Sequence, residues 1–117
     1  MEIVYDDRRV ALLFENFELM KRKKGIEITR RIKMRYDVLK AAISFAEFLK
    51  IAPGNPHALK GDKKGLFAVS VDKNKRLILQ PMTENGDVSL IAFAQCDKVI
   101  IKGVEDYHGG KTTTYIP

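Results

Sequence analysis

The sequence predicts an α+β fold in which a helical hairpin packs on one face of an antiparallel sheet, in the element order β-α-α-β-β-β. The main observation is a change of hydrophobic period near residue 60. Before that point apolar residues recur every three or four positions, as in amphipathic helices. After it they alternate at every second position, as in strands that bury one face. A short β-prone segment at residues 3–5 supplies the first strand.

Two helices are predicted over residues 8–23 and 30–50. Gly25 is suited to end the first helix, and Thr29 is a candidate N-cap for the second. No proline or glycine interrupts the apolar stripe of the second helix. Because only a few residues separate the two helices, they should form an antiparallel hairpin.

Three strands are predicted after the loop that follows the second helix, at residues 66–71, 76–80 and 98–106. Turn-forming residues separate the first two, and a proline ends the middle strand. The apolar segment at 88–94 has no clean period, so a short strand and an irregular packed segment both remain open.

The chain is short enough to form a single domain, which we assign to residues 1–110. The tail at 111–117 is expected to be mobile or to add a strand in an assembly. Hydrophobic residues make up 45% of the 117 residues, which is ordinary for a folded domain. Cys96 is the single cysteine, so an intramolecular disulfide is excluded, and we expect no metal site.

The net charge of +6 predicts a polyanionic partner, with RNA or DNA favoured over a membrane surface. No segment has the length of a membrane span, and acids occupy the start of the chain, so a cytoplasmic location is expected. The basic residues concentrate around the junction of the two predicted helices. We predict phosphate-backbone contacts from this basic patch, which consists of Lys21, Arg22, Lys23, Lys24, Arg30, Arg31, Lys33 and Arg35.

Polar residues suited to RNA cleavage gather at three places in the predicted sheet. They are the loop entering the sheet, the middle strand and the end of the last strand. Strand alternation places Asp106 and His108 on one face, where the carboxylate could fix the tautomer of the imidazole. Arg76 is expected on that same exposed face. The candidate catalytic residues are His57, Lys60, Arg76, Asp106, Tyr107 and His108.

These residues resemble the HigB-type branch of the RelE/ParE toxin superfamily. The resemblance covers nearly the whole chain, including the order of its elements. Its motifs are a basic loop, an arginine-led strand and a terminal acid-aromatic-histidine triplet: His57-Ala58-Leu59-Lys60-Gly61-Asp62-Lys63-Lys64-Gly65, Arg76-Leu77-Ile78 and Asp106-Tyr107-His108.

The resemblance implies a RelE-like fold and the toxin of a type II toxin–antitoxin system. Such a toxin cleaves messenger RNA in the ribosomal A site without a cofactor and is held inactive by a cognate antitoxin, here expected to be a small helix-turn-helix protein. The six candidate residues would then be the functional set, and the basic helices would contact ribosomal RNA.

Two other interpretations of the sequence remain open. ParE-like members of the superfamily share the architecture but poison DNA gyrase, and we do not expect them to carry the Asp106-Tyr107-His108 ending. Alternatively, the chain is a basic nucleic-acid-binding module without catalysis, in which the polar cluster is structural.

Overall fold

A computed structural model describes all 117 residues and contains one mixed sheet of six strands. The strands are β1 (Glu2–Tyr5), β2 (His57–Ala58), β3 (Phe67–Ser70), β4 (Lys75–Pro81), β5 (Lys98–His108) and β6 (Lys111–Ile116). Their spatial order is β1-β5-β4-β3-β2, and β6 pairs with the second half of β5 on the β1 side. β1 runs parallel to β5, and every other pairing is antiparallel.

Five helices complete the α+β fold, which confirms the predicted fold class. They are α1 (Arg8–Phe14), α2 (Phe17–Lys24), α3 (Ile26–Ala41), α4 (Phe45–Ile51) and α5 (Leu90–Gln95). α2 and α3 form the predicted hairpin and pack against each other. None of the helices combines the length and apolar character needed to cross a membrane.

Side-chain caps divide the two long helices that the sequence predicts. Asn16 separates α1 from α2 and caps α2, because its Oδ1 accepts a hydrogen bond from the Leu19 N–H at 3.1 Å. The second predicted helix starts earlier than expected, at Ile26, and breaks before α4. There the Ser44 hydroxyl accepts from the Glu47 N–H at 3.1 Å, so this Ser-x-x-Glu sequence starts a new helix.

The undecided segment at 88–94 contains most of α5, so it is neither a strand nor an irregular segment. The hydroxyl of Ser89 caps this helix by accepting from the Ala92 N–H at 3.1 Å. Phe93 is buried, and its ring centroid lies 5.2 Å from that of Phe45 and 5.5 Å from that of Phe67. The helix therefore closes one end of the core.

The tail is not a mobile segment, because residues 111–116 form β6 within the sheet of the same chain. A β-hairpin turn at Gly109-Gly110, with both residues at positive φ, reverses the chain after β5. Ile116 is 1% exposed and pairs with Val104. The tail is rich in β-branched and aromatic residues, which favour a strand.

The helices cover one face of the sheet, and the hydrophobic core lies between them. Leu77, Leu79 and Val104 point into this core and are fully buried. The opposite side, which we call the open face, carries Arg76 and the residues that alternate with the core positions. The candidate functional residues can therefore be assigned to one face or the other from the strand register.

Candidate functional site

The register of β4 against β5 decides which polar residues share the open face. Arg76 lies directly opposite Glu105, and Lys75 lies opposite Asp106. Directly opposed residues in a sheet point to the same side. Glu105 and Tyr107 therefore accompany Arg76 on the open face, whereas Asp106 points to the helix side. The expectation that Arg76 shares a face with Asp106 and His108 is wrong.

Four side chains form a connected group that we call the open-face cluster: Lys63, Arg76, Glu105 and Tyr107. The Lys63 Nζ lies 3.2 and 3.3 Å from the two carboxylate oxygens of Glu105. The Tyr107 hydroxyl donates to Glu105 Oε1 at 3.4 Å. The Arg76 guanidinium carbon lies 5.5 Å from the centroid of the Tyr107 ring, in cation–π range.

Backbone contacts fix the Arg76 guanidinium at the edge of this cluster. Its Nη1 donates to the carbonyl oxygens of Asp72 at 3.2 Å and Lys75 at 3.1 Å. The remaining guanidinium donors make no hydrogen bond within the chain. Arg76 and Lys63 thus bring two positive charges to one acid, and the surplus suits a phosphate.

The phenol of Tyr107 keeps its proton at neutral pH. Burial raises its pKa above the ordinary value, and the negative charge of Glu105 raises it further. The positive charges of Lys63 and Arg76 oppose this shift but do not reverse it. Tyr107 is therefore suited to donate a proton or a hydrogen bond at physiological pH.

This raised pKa predicts how alkaline conditions affect stability. A group with a raised folded-state pKa contributes stability below its ordinary pKa and loses that contribution as the pH rises through the folded value. We expect the free energy of unfolding to fall more between about pH 9 and 11 in the parent than in Tyr107→Phe, because the ordinary tyrosine pKa is about 10. Urea unfolding at both pH values measures the difference, and equal falls would contradict the assignment.

Asp106 takes part in a separate group on the helix side of the sheet. Its carboxylate lies 4.0 Å from the Lys75 Nζ, and its Oδ1 is buried without a hydrogen-bond partner. The ring of Tyr115 lies near two ammonium groups, 4.5 Å from the Lys24 Nζ and 4.9 Å from the Lys75 Nζ. No hydrogen bond joins Asp106 to His108, so the expected fixing of the His108 tautomer is wrong.

The other predicted residues lie around the open-face cluster rather than within it. His57, on β2, lies opposite Ala68, which lies opposite Ile78, so it shares the open face at two strand spacings, or roughly 10 Å, from β4. Its Nδ1 lies 3.1 Å from the Asn55 carbonyl oxygen. Lys60 is exposed just before a short 3-10 turn, and His108 is exposed at the end of β5.

Sequence reasoning missed two members of the cluster, Lys63 and Glu105. A signal for Lys63 was present, because it belongs to the same basic loop as Lys60. Glu105 depended on the register of β4 with β5, which shifts between Ile78 and Leu79. A shift of one residue exchanges the faces of a strand, and nothing in the local sequence specifies it.

The predicted basic patch is more heavily paired than the sequence indicated. Lys21 pairs with Glu18 and Lys33 with Asp37, while Arg30 and Arg31 both contact Glu27. Two members make structural contacts: Lys24 donates to the Tyr115 carbonyl oxygen, and Arg35 Nε donates to the Ser70 carbonyl oxygen at 2.9 Å. Arg22 and Lys23 remain exposed without an acidic partner. They are the members best placed for phosphate contacts.

Side chains suited to metal binding do not converge. No three residues among the histidines, the cysteine and the acids form a group that could hold an ion. Cys96 is buried, and its Sγ lies 3.2 Å from the Lys98 carbonyl oxygen.

The fold is that of YoeB/ParE toxins. A YoeB/ParE toxin from Agrobacterium tumefaciens superposes with a TM-score of 0.53 at 13% identity, covering 92% of this chain and 99% of the toxin. A YoeB-YefM complex from Staphylococcus aureus contains a chain with a TM-score of 0.54 at 14% identity, covering 92% and 97%. No protein-family profile and no curated protein matches the sequence. These structures do not support the HigB branch in particular.

Proposed function

We propose that this chain is the toxin of a type II toxin–antitoxin system and cleaves messenger RNA on the ribosome. The observation that carries the proposal is the open-face cluster, in which two cations flank an acid and a neutral phenol on an accessible sheet face. The likeness to toxin structures supports the fold on which the cluster stands. The terminal Asp106-Tyr107-His108 sequence favours the HigB-type branch.

The cluster fits cleavage through the ribose 2′-hydroxyl. A base removes the hydroxyl proton, the 2′-oxygen bonds to the adjacent phosphorus, and the bond from phosphorus to the 5′-oxygen breaks. The products are a 2′,3′-cyclic phosphate and a 5′-hydroxyl. Arg76 and Lys63 stabilise the charge that accumulates on the phosphorane oxygens, and Tyr107 protonates the leaving oxygen.

Three side chains are candidates for the base. Glu105 lies within the cluster, while His57 and His108 lie at its margins. Lys60 extends the positive charge along the entering loop. Asp106 lies on the helix side of the sheet and has no direct role in this scheme. Single alanine variants of the three candidates, compared by cleavage rate, assign the base.

The partners follow from the same proposal. One of the structural neighbours was solved as a YoeB-YefM complex, and we propose that a small helix-turn-helix antitoxin binds this chain in the cytoplasm. The ribosome supplies both the messenger RNA and the ribosomal RNA that the basic patch contacts.

The test is incubation of the purified chain with translating ribosomes, followed by primer extension on the message. We expect new 5′ ends within translated codons and none on the same message without ribosomes. Absence of cleavage by the folded protein would overturn the proposal. Inhibition of DNA gyrase would then favour the ParE-like activity, and binding without cleavage would favour the nucleic-acid-binding module.

Cleavage is expected to be independent of transition metals, because the proposed chemistry uses only side-chain acids, bases and cations. Adding a chelator selective for transition metals leaves the ribosomal magnesium in place. The cleavage rate should stay within about twofold of the untreated rate. Loss of activity that added zinc restores would contradict this prediction.

Ribosome binding should depend on the exposed end of α2. Reversing charge at Arg22 and Lys23 removes two candidate phosphate contacts, so we expect weaker binding and a salt dependence whose slope falls by about one for each phosphate that is no longer neutralised. Lys50→Glu makes one such charge change at an exposed site outside the patch and is the control. Equal binding by the patch variant and the control, measured by sedimentation with ribosomes at several salt concentrations, would contradict the prediction.

A further inference from the structure

A pocket of about 300 Å³ adjoins the open-face cluster on the side facing β6. This volume lies at the lower end of small-ligand sites, which span about 300–1,000 Å³. Leu66 and Ile78 supply apolar side chains to its lining. Glu105 lines the pocket and also belongs to the cluster, so a ligand in the pocket would touch the residue that contacts Lys63 and Tyr107.

One wall of the pocket depends on Gly103. A Cβ atom at this position would lie 2.2 Å from the Ile116 carbonyl oxygen, so only glycine allows the end of β6 to come this close. Pro117, which follows β6, also lines the pocket. The wall is therefore a specific feature of the β5–β6 pairing rather than a gap at the edge of the sheet.

The polar rim of the pocket offers both hydrogen-bond donors and acceptors. Lys102 Nζ lies 2.9 Å from Asp6 Oδ1, an ion pair that joins β5 to the end of β1. Thr114 adds a hydroxyl group, which can donate or accept. An apolar surface with such a rim matches a flat heterocycle whose edge carries carbonyl, amino and ring-nitrogen groups.

We propose that this pocket binds one nucleobase of the RNA whose scissile phosphate lies at Arg76 and Lys63, a proposal that rests on the proposed function. The face of the base packs on Leu66 and Ile78, and its edge bonds to Lys102 and Asp6. Proteins commonly read unstacked RNA bases by such contacts. Because Glu105 is shared, the bound base belongs to a nucleotide next to the cleaved bond.

The first test is a titration of the ¹⁵N-labelled chain with the four nucleoside 3′-monophosphates, with inorganic phosphate as the reference. We expect the nucleotides, but not phosphate, to shift the amide signals of Lys102, Gly103 and Thr114. Lys102→Met should weaken nucleotide binding roughly tenfold, the size expected when a charged hydrogen bond is removed. Lys98→Met is the matched control, because it removes another pair between β5 and β1, Lys98–Glu2 at 3.7 Å, outside the pocket.

The second test maps the bases beside the cut in messages cleaved on ribosomes. Lys102→Met should change the base distribution at one position next to the cut, and Lys98→Met should leave it unchanged. Nucleotide binding at the pocket by a chain that does not cleave would keep the subsite and reject the proposed function. Absence of nucleotide-specific shifts at the pocket, or equal effects of the two variants, would overturn the subsite.

Discussion

Arg76→Ala should lower the rate of RNA cleavage on ribosomes by roughly two to three powers of ten, the usual loss when a preorganised transition-state contact is removed. The guanidinium lies on the open face, with two of its contacts made to backbone carbonyl oxygens. These contacts hold the fork in place before the substrate arrives. Its charge is then available when negative charge develops on the phosphorane.

Arg76→Lys is the matched variant, because it keeps the charge and removes the fork. We expect it to recover only part of the rate, since a lysine offers a point charge without bidentate geometry. Melting temperature checks that both variants fold. Cleavage at the parent rate by folded Arg76→Ala would show that the active-site assignment is wrong.

Variants at Tyr107 and His108 extend the same experiment. The Tyr107 ring lies against Arg76 on the open face, so Tyr107→Phe tests whether its hydroxyl acts on the substrate or only on Glu105. His108→Ala tests the exposed histidine at the strand end. A general acid or base typically contributes about two to four powers of ten in rate.

Gly103→Ala should be the most destabilising single change, because it forces apart the end of β6 and the bulged part of β5. The new Cβ would lie 2.2 Å from a backbone oxygen, at a residue with φ of +141°. Backbone strain costs about 1–3 kcal/mol, and exposing Ile116 costs about 1.5–3 kcal/mol more. The expected decrease in the free energy of unfolding is therefore roughly 3–5 kcal/mol.

Gly86→Ala provides the control for this substitution. Gly86 also has a positive φ, +69°, but a Cβ added there would have no neighbouring atom within 4 Å. It should cost only the local strain. Urea unfolding measures both variants, and amide hydrogen exchange in β6 shows whether the strand detaches. Similar stability decreases for the two variants would mean that the close approach of β6 carries little energy.

The fold class was predictable because the hydrophobic period changes once, near residue 60, and both halves keep their period. The helix boundaries were less accessible. Asn16 and Ser44 are both good caps, and each sits inside an apolar stripe that continues past it. The stripe suggests one long helix, while the cap starts a new one, and tertiary packing of Phe45 and its neighbours decides between them.

The site was only partly predictable, and the reason is register. Arg76 and Tyr107 can be chosen from the sequence by their chemistry and their place at strand ends. Their assignment to one face required the bulge that shifts β4 against β5. That shift exchanged Asp106 for Glu105 at the open-face cluster, and alternation along β5 alone gives no reference to β4.

The chemical identity of the fragment ends tests the central claim most directly. Messages cleaved by the purified chain on translating ribosomes are analysed for the group at each new 3′ end. Attack by the 2′-hydroxyl predicts a 2′,3′-cyclic phosphate, or the 3′-phosphate formed when it opens, with a 5′-hydroxyl on the downstream fragment. Fragments with a 3′-hydroxyl and a 5′-phosphate, or no fragments from the folded protein, would contradict the account.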